Sequence, residues 1–225
     1  MGNIAAYDAI ADWYAEYIDG SASVFTERVH RMLRELLPHG NAQTCVDICC
    51  GTGAHARVLT ELGWSPIGVD LSSGQLRHAA AKLPVACADA AALPIASGSV
   101  AAATCILAHT DVPDYAAVVA EAARILRPGG TLVHIGVHPS FTGAFADRSD
   151  PARVIVDGSY HRRDRRFDSF TDQGVRDKVG AWHTPLPDLL HTALDSGLTL
   201  TRVVEAGSPD AVPDIFGFTA RASLA

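Results

Sequence analysis

Apolar residues recur at two spacings along the chain, and the change between them falls near residue 44. Before it, residues 4–18 and 24–37 carry apolar side chains at helical spacing, and Pro38 ends the second stretch. After it, short apolar runs typical of buried strands alternate with longer helical segments as far as His138. This alternation predicts an α/β fold in which a parallel sheet is covered by helices on both faces.

The same pattern locates the individual elements of the sheet and its helices. Strands are expected at residues 44–48, 66–70, 85–89, 99–108, 131–138, 198–207 and 214–222. Helices are expected between them at residues 54–62, 73–83, 114–126 and 184–198. Because the strands are separated by helices, most of them should run parallel.

The 225-residue chain is expected to be a single domain with four parts. The parts are a helical N-terminal cap (1–40), a core (41–138), an irregular insertion after the fifth strand (139–182), and a closing helix with two strands (183–225). Aromatic residues concentrate in the first and third parts. Either these parts simply pack on each other, or they cap a site and line an apolar pocket. The aromatic residues are Tyr7, Trp13, Tyr14, Tyr17, Phe25, Phe141, Phe145, Tyr160, Phe167, Phe170 and Trp182.

Composition excludes several classes of protein. The net charge of -7 disfavours a nucleic-acid binder, which needs a broad basic field. No basic segment followed by an apolar run opens the chain, and no apolar run is long enough to cross a membrane. The five cysteines include no spaced pair, so we expect free thiols, no metal site and a cytoplasmic location.

Candidate chemistry lies where the predicted strands end. Gly51 and Gly53 form a turn after the first strand, where a ligand can approach the backbone closely. Asp70 ends the second strand, where a carboxylate can accept hydrogen bonds from two ribose hydroxyls. Asp89 ends the third and could accept from an exocyclic amine. Ligands of open α/β sheets bind outside these ends, so the sequence predicts one site here.

These motifs together resemble the class I S-adenosylmethionine-dependent methyltransferases that act on small molecules. The matching segments are VDICCGTG, GVDLSSGQL, CADAAALP and LRPGGTLV. The resemblance covers residues 7–138 well and the last helix and strands loosely. It implies a Rossmann-like fold with a mostly parallel seven-stranded sheet, the N-terminal helices and the insertion forming a cap.

The resemblance also implies S-adenosyl-L-methionine as the cofactor. Residues 49–53 would wrap its methionine end, Asp70 would hold the ribose, and Asp89 would read the adenine edge. Cys49 replaces the first glycine of the usual motif, which constrains the backbone there. Tyr14 is expected to pack over the cofactor. The full set of expected cofactor residues is Tyr14, Cys49, Cys50, Gly51, Gly53, His55, Asp70, Leu71, Gln75, Asp89, Ala90 and Leu107.

Roles for the remaining polar residues stay open at this point. His109 and His138 follow the fourth and fifth strands and are candidate catalytic residues, as a general base or a substrate contact, or else they pack the turn. Asp111 is a candidate helix N-cap. The run HRRDRR at 161–166 is either a solvated loop or a site for an anionic substrate. The adjacent cysteines are either small apolar residues or a redox or metal pair.

The predicted activity is methyl transfer to a small-molecule acceptor, with O-methylation of a secondary metabolite as the first hypothesis. Two alternatives remain from the sequence. One is a nicotinamide-dependent oxidoreductase, because residues 51–56 also fit a GxGxxA turn. The other is a protein that binds S-adenosylmethionine without catalysis. The acceptor and the oligomeric state are not specified by the sequence.

Overall fold

The computed structural model describes residues 5–168 and 174–224. Phe170, one of the aromatic residues of the insertion, lies outside the described residues. The helices are α1 (Ala11–Asp19), α2 (Ser23–Leu36), α3 (Ala56–Glu61), α4 (Ser73–Ala79), α5 (Tyr115–Ile125), α6 (Val175–Val179) and α7 (Leu186–Asp195). The strands are β1 (Thr44–Ile48), β2 (Ser65–Asp70), β3 (Val85–Cys87), β4 (Val100–Ile106), β5 (Leu126–Val137), β6 (Ala146–Asp150), β7 (Arg153–Val156), β8 (Leu198–Ala206) and β9 (Ile215–Ala222).

Within the described residues, seven strands form the main sheet in the order β3-β2-β1-β4-β5-β9-β8. The first five strands are parallel, and β9 runs antiparallel to both β5 and β8. The predicted Rossmann-like sheet is therefore confirmed. The order reverses at β1 and β4, so the crevice for a ligand is expected above these two strands.

Apolar residues fill both sides of the sheet. On one side, α5 and α7 pack on it through residues such as Val118 and Leu189. On the other, α2 and α3 contribute Val29, Leu33 and Leu59. β4 is buried along its whole length, as expected for a central strand covered on both faces.

The predicted N-terminal cap divides into two functionally different parts. α2 belongs to the core: Met32 and Leu36 lie so close to Gly217 of β9 that a Cβ there would be 2.7 Å from the Met32 sulfur. Residues 5–19, which we call the roof segment, lie over the carboxyl ends of the strands instead. They are fixed by Asp8, whose Oδ1 accepts hydrogen bonds from Ser72 Oγ (2.6 Å) and the Gly74 N–H (2.9 Å).

The insertion is more regular than the sequence indicated. β6 and β7 pair as an antiparallel hairpin, and a short α6 follows. The sequence prediction of an irregular insertion was wrong here because β6 is rich in charged residues and β7 is only four residues long, and both are largely exposed. Neither strand shows the apolar alternation that marks a half-buried strand.

Candidate active site

A cavity of about 1030 Å³, measured out to its open mouth, lies at the carboxyl ends of β1, β2 and β4. The roof segment closes one side of it through Tyr7, Tyr14 and Ile18. The cavity occupies the crevice that the strand order predicts.

All the predicted cofactor residues except Gly53 line this cavity. Gly53 lies beside it, with a positive φ of 70°, and a Cβ at this position would be 3.2 Å from the Ala79 Cα of α4. Its role is therefore to let the turn pack tightly on α4. The other glycine of the motif, Gly51, lines the cavity and also has a positive φ, 53°.

The turn after β1 is joined to β2 by Asp70. The Gly51 N–H donates to Asp70 Oδ2 (2.9 Å), and the Ser72 N–H donates to Asp70 Oδ1 (2.8 Å). Burial raises the pKa of Asp70, although both backbone hydrogen bonds oppose this shift. Each carboxylate oxygen can accept a further hydrogen bond, so Asp70 can receive two ribose hydroxyls.

The two adjacent cysteines are free thiols beside this turn. Cys49 has a positive φ of 57°, the backbone constraint expected from its replacing a glycine. Burial raises the pKa of Cys50, and a hydrogen bond with Cys105 together with burial raises that of Cys49. Both thiols are therefore protonated near neutral pH. This supports their interpretation as small apolar residues.

The adenine end of the predicted site contains a buried amide without partners. Gln75 is 2% exposed, and neither its Oε1 nor its Nε2 has a hydrogen-bond partner among the described residues. Leaving such atoms unpaired costs about 1–3 kcal/mol, so the amide is available for a ligand. Asp89 is exposed, and its Oδ1 accepts from the Ala91 N–H (2.9 Å), which leaves Oδ2 for an amine.

The lining of the cavity is acidic. Asp70, Asp89 and Asp111 contribute to its wall, whereas no lysine or arginine of residues 5–168 and 174–224 does. His55 lines it too, but burial lowers the pKa of this imidazole to about 3, which keeps it neutral. Its Nδ1 lies 3.2 Å from His30 Nε2 of α2. Such a lining favours a positively charged ligand.

A polar cluster that the sequence did not reveal lies at the wall opposite Asp70. Asp111 Oδ1 accepts hydrogen bonds from the Tyr7 hydroxyl (3.0 Å) and from Arg176 Nη1, and Arg176 Nη2 donates to Thr110 Oγ1 (2.9 Å). Asp111 is not the N-cap of α5, since Asp114 fills that role by accepting from the Ala117 N–H (3.0 Å). The sequence signal was weak because Tyr7, Asp111 and Arg176 come from three distant segments.

The two predicted catalytic histidines do not line the cavity, and their catalytic roles stay predictions. His109 is buried behind the wall against His134, at 5.2 Å between ring centroids, and burial holds its pKa well below its ordinary value. His138 forms an ion-pair contact with Glu205 (2.7 Å) and its Nδ1 accepts from the Ser140 N–H (3.1 Å). Both residues follow the end of a strand, yet neither side chain lines the cavity.

The insertion contacts the cavity wall through Arg176, but none of its described residues, 139–168 and 174–182, lines the cavity. Its Phe145 and Tyr160 pack against His183. Phe145 and His183 also line a smaller cavity together with His109 and Trp182. Three of the arginines in the run at 161–166 form ion pairs: Arg162 pairs with Asp164, Arg163 with Asp188 and Arg166 with Asp168. These pairs support its interpretation as a solvated loop.

Comparison with known proteins agrees with the geometry. Residues 46–134 match the family described as methyltransferase domain. The chain is similar to a solved S-adenosylmethionine-dependent methyltransferase from Mesorhizobium loti, with a TM-score of 0.69 and 25% identity over 85% of this chain and 96% of that one. The core is therefore a class I S-adenosylmethionine-dependent methyltransferase domain, and S-adenosylmethionine is the cofactor for which its site is formed.

Two relatives carry the same name. The demethylmenaquinone methyltransferase of Corynebacterium urealyticum is 32% identical over 114 residues, which is 50% of this chain and 48% of that protein. The enzyme of that name from Renibacterium salmoninarum is 28% identical over 141 residues, 61% of this chain and 60% of that protein. The chain thus spans only about half to three fifths of these relatives.

Two other features are absent from the part of the chain that the structure describes. No group of three or more histidine, cysteine, aspartate or glutamate side chains within residues 5–168 and 174–224 is arranged to hold a metal ion. Across those same ranges, no helix is both long enough and apolar enough to span a membrane.

Proposed function

We propose that this protein transfers the methyl group of S-adenosylmethionine to an oxygen atom of a small molecule of secondary metabolism. The observation that carries the proposal is the hydrogen bond from the Gly51 N–H to Asp70 at the turn after β1. It places a carboxylate at the glycine turn, so the turn suits the uncharged ribose of this cofactor.

The same bond disfavours a nicotinamide dinucleotide. In dinucleotide-binding folds the glycine turn and the following helix hold a pyrophosphate. Here the Gly51 N–H is already engaged, and Asp70 would repel an anion at this place. The carboxylates of Asp70 and Asp89 in the cavity wall instead complement a sulfonium cation.

The residues of the cavity fit the cofactor in kind as well as in charge. Asp70 has acceptor positions for ribose hydroxyls, and the unpaired Gln75 amide and Asp89 Oδ2 can meet the polar edge of adenine. When bound, S-adenosylmethionine supplies an electrophilic methyl group on a positively charged sulfur. The protein's part is to position an acceptor beside that group and to exclude water.

The acceptor class follows from the rest of the wall. Ile18, Leu107 and Val112 line the cavity with apolar surface, and Tyr7 and Tyr14 cover it with rings 5.0 Å apart. Such a surface suits an apolar, ring-bearing molecule. The relatives named demethylmenaquinone methyltransferases support a small-molecule acceptor of this general kind.

We further propose that the protein acts in the cytoplasm on a free small molecule and not on nucleic acid. The net charge of -7 and the pairing of the arginines in the insertion leave little basic surface for a phosphate backbone.

Two experiments test the proposed function. Thermal unfolding is measured with S-adenosylhomocysteine and with NAD at equal concentration, and only the former should raise the melting temperature. The protein is then incubated with S-adenosylmethionine and a panel of phenols, and methylated products are detected by mass spectrometry. Stabilisation by NAD would support an oxidoreductase, whereas cofactor binding without product from any acceptor would support a non-catalytic binding protein.

A further inference from the structure

The Asp111 carboxylate is held at one oxygen and left free at the other. Tyr7 and Arg176 both donate to Oδ1, whereas Oδ2 accepts no hydrogen bond from any described residue. Asp111 lines the cavity, so this second oxygen is the part of the carboxylate left for a ligand. Such an arrangement fixes the side chain while keeping a strong hydrogen-bond acceptor available.

Arg176 stabilises this position of the Asp111 carboxylate. Its side chain is 11% exposed, and burial alone would lower its pKa, but Asp111 raises it well above its ordinary value. A guanidinium at this position stays charged and holds the Asp111 carboxylate in place by donating to its Oδ1. The partner residues come from the roof segment and from α6, so both segments that flank the core contribute to orienting one carboxylate.

The surroundings of Asp111 set what it can recognise. Leu107, Ala108 and Val112 from the same loop line the cavity with apolar surface. Because the Arg176 charge balances that of Asp111, the site does not demand a cation. A carboxylate oxygen in an apolar wall instead selects a hydrogen-bond donor.

We propose that Asp111 is the acceptor-recognition residue and that it selects acceptors carrying an O–H or N–H group. This inference rests on the proposed methyl-transfer function and names the group of the acceptor that the cavity wall recognises. It assigns to Asp111 the role that the sequence suggested for His109, which lies behind the wall. Arg176 is a positioning residue in this scheme, since it acts through Asp111.

The test compares probes that carry a hydrogen-bond donor with capped partners, in which methyl replaces each donor hydrogen. Binding of 2-naphthol and 2-methoxynaphthalene, and of 2-naphthylamine and its N,N-dimethyl derivative, is measured by equilibrium dialysis against protein saturated with S-adenosylhomocysteine. The capped probes are more apolar and would bind at least as tightly if no donor were recognised. We expect the wild-type protein to favour at least one donor-bearing probe by about 10- to 100-fold, the usual worth of a hydrogen bond to a charged group.

Variants assign the preference to the carboxylate. Asp111→Asn should reduce the preference by about threefold or more, because a neutral amide oxygen accepts more weakly than a carboxylate. Asp114→Asn is the matched control: it lies three residues away, caps α5 and is outside the cavity lining, and asparagine caps helices as well as aspartate. This control should keep the full preference.

Each remaining outcome overturns the inference. It is wrong if no donor-bearing probe binds more tightly than its capped partner, if Asp111→Asn keeps the wild-type ratio, or if Asp114→Asn loses it equally. Should Asp111→Asn fail to fold, Asp111→Ser takes its place under the same criterion. Failure of the proposed function would show separately, because wild-type protein would then not bind S-adenosylhomocysteine or would form no methylated product.

Discussion

At the residue scale, the cavity wall contains side chains held in backbone conformations that most residues avoid. Cys49 and Leu107 both line the cavity and both have positive φ, 57° and 59°. A non-glycine residue in this region costs about 1–2 kcal/mol. The strain is placed on the two loops that follow β1 and β4, where the ligand must meet the backbone.

Gly53 and Gly98 provide a matched test of close packing at this site. Both have positive φ, but alanine at Gly98 meets nothing within 4 Å, whereas alanine at Gly53 would lie 3.0 Å from Leu83 Cδ2 and 3.2 Å from Ala79 Cα. Gly98→Ala should lower the free energy of unfolding by about 1 kcal/mol from backbone strain. Gly53→Ala should cost clearly more, as measured by urea denaturation.

The same two variants separate folding from cofactor binding. Gly53→Ala should also weaken S-adenosylhomocysteine binding in isothermal titration, since a displaced turn moves the Gly51 N–H away from Asp70. Gly98→Ala should leave the affinity unchanged. Equal losses of stability in the two variants would contradict the close packing of Gly53 on α4.

Asp70 and Asp89 should contribute unequally to cofactor affinity. Asp70→Asn removes a charged acceptor from a largely buried place, so the dissociation constant for S-adenosylhomocysteine should rise by about 10- to 100-fold. Asp89→Asn should have a smaller effect because water can replace this exposed carboxylate. Isothermal titration of both variants measures the difference, and an unaffected Asp70→Asn would remove its ribose assignment.

At the element scale, Arg176 ties α6 to the loop after β4. Removing it leaves Asp111, 20% exposed, without its charged partner, and breaking such a buried pair costs about 3–5 kcal/mol. Arg176→Ala should therefore strongly lower the denaturation midpoint. Arg162→Ala is the control, because its pair with Asp164 is more than half exposed on the arginine side and should be worth little. Similar losses in both variants would refute a stabilising role for the Arg176 pair.

The elements were mostly predictable, and the exceptions have physical reasons. Parallel strands buried on both faces are continuous apolar runs, so the strands of the core stand out in the sequence. The hairpin β6–β7 does not, because β6 is charged and β7 is a run of only four largely exposed residues. The cofactor residues could be located because they follow strand ends in a fixed order.

The acceptor side could not be predicted in the same way. A strand-end position indicates that a residue lies near the ligand edge, but not which way its side chain turns. His109 and His138 show this, since the His109 ring packs against His134 and the His138 ring contacts Glu205. Asp111 and Arg176 are 65 residues apart in the chain, and only the packing of α6 on the loop after β4 brings them together.

At the scale of the whole molecule, two buried histidines make stability depend on pH. Burial lowers the pKa of His55 and of His134 to about 3, against an ordinary value of 6.5. Between these values the unfolded chain binds the protons that the folded protein does not. Their contribution to the free energy of unfolding should therefore rise with pH from about 3 to 6.5 and then level off.

This dependence can be measured directly. Urea denaturation at pH 4, 5, 6 and 7 should show increasing stability, and His134→Asn should make the slope shallower by up to about 1.4 kcal/mol per pH unit. A variant that keeps the wild-type slope would show that His134 does not carry the effect.

Asp47 acts with the opposite sign. Burial raises the pKa of this carboxyl, which lies under the turn and accepts from Thr104 Oγ1 (2.7 Å), from 3.8 to about 7. Between these values the folded protein holds a proton that the unfolded chain has released, so stability falls as pH rises. The free energy of unfolding of Asp47→Asn, relative to wild type, should increase by about 1.4 kcal/mol per pH unit from pH 4 to 7. A constant difference across this window would contradict the shifted pKa.

The attachment of the roof segment has a consequence for the timing of the reaction cycle. α1 contributes Ala11 to the buried residues, and the segment is otherwise fastened near the cavity by Tyr7 to Asp111 and by Asp8 to Ser72 and Gly74. Each such hydrogen bond is worth about 0.5–1.5 kcal/mol, so detaching the segment costs far less than disturbing the sheet. The time for which S-adenosylhomocysteine stays bound should then depend on how often these hydrogen bonds break. The Tyr7 hydroxyl also donates to Asp111. Release of S-adenosylhomocysteine and binding of the next acceptor should therefore both depend on this one hydrogen bond.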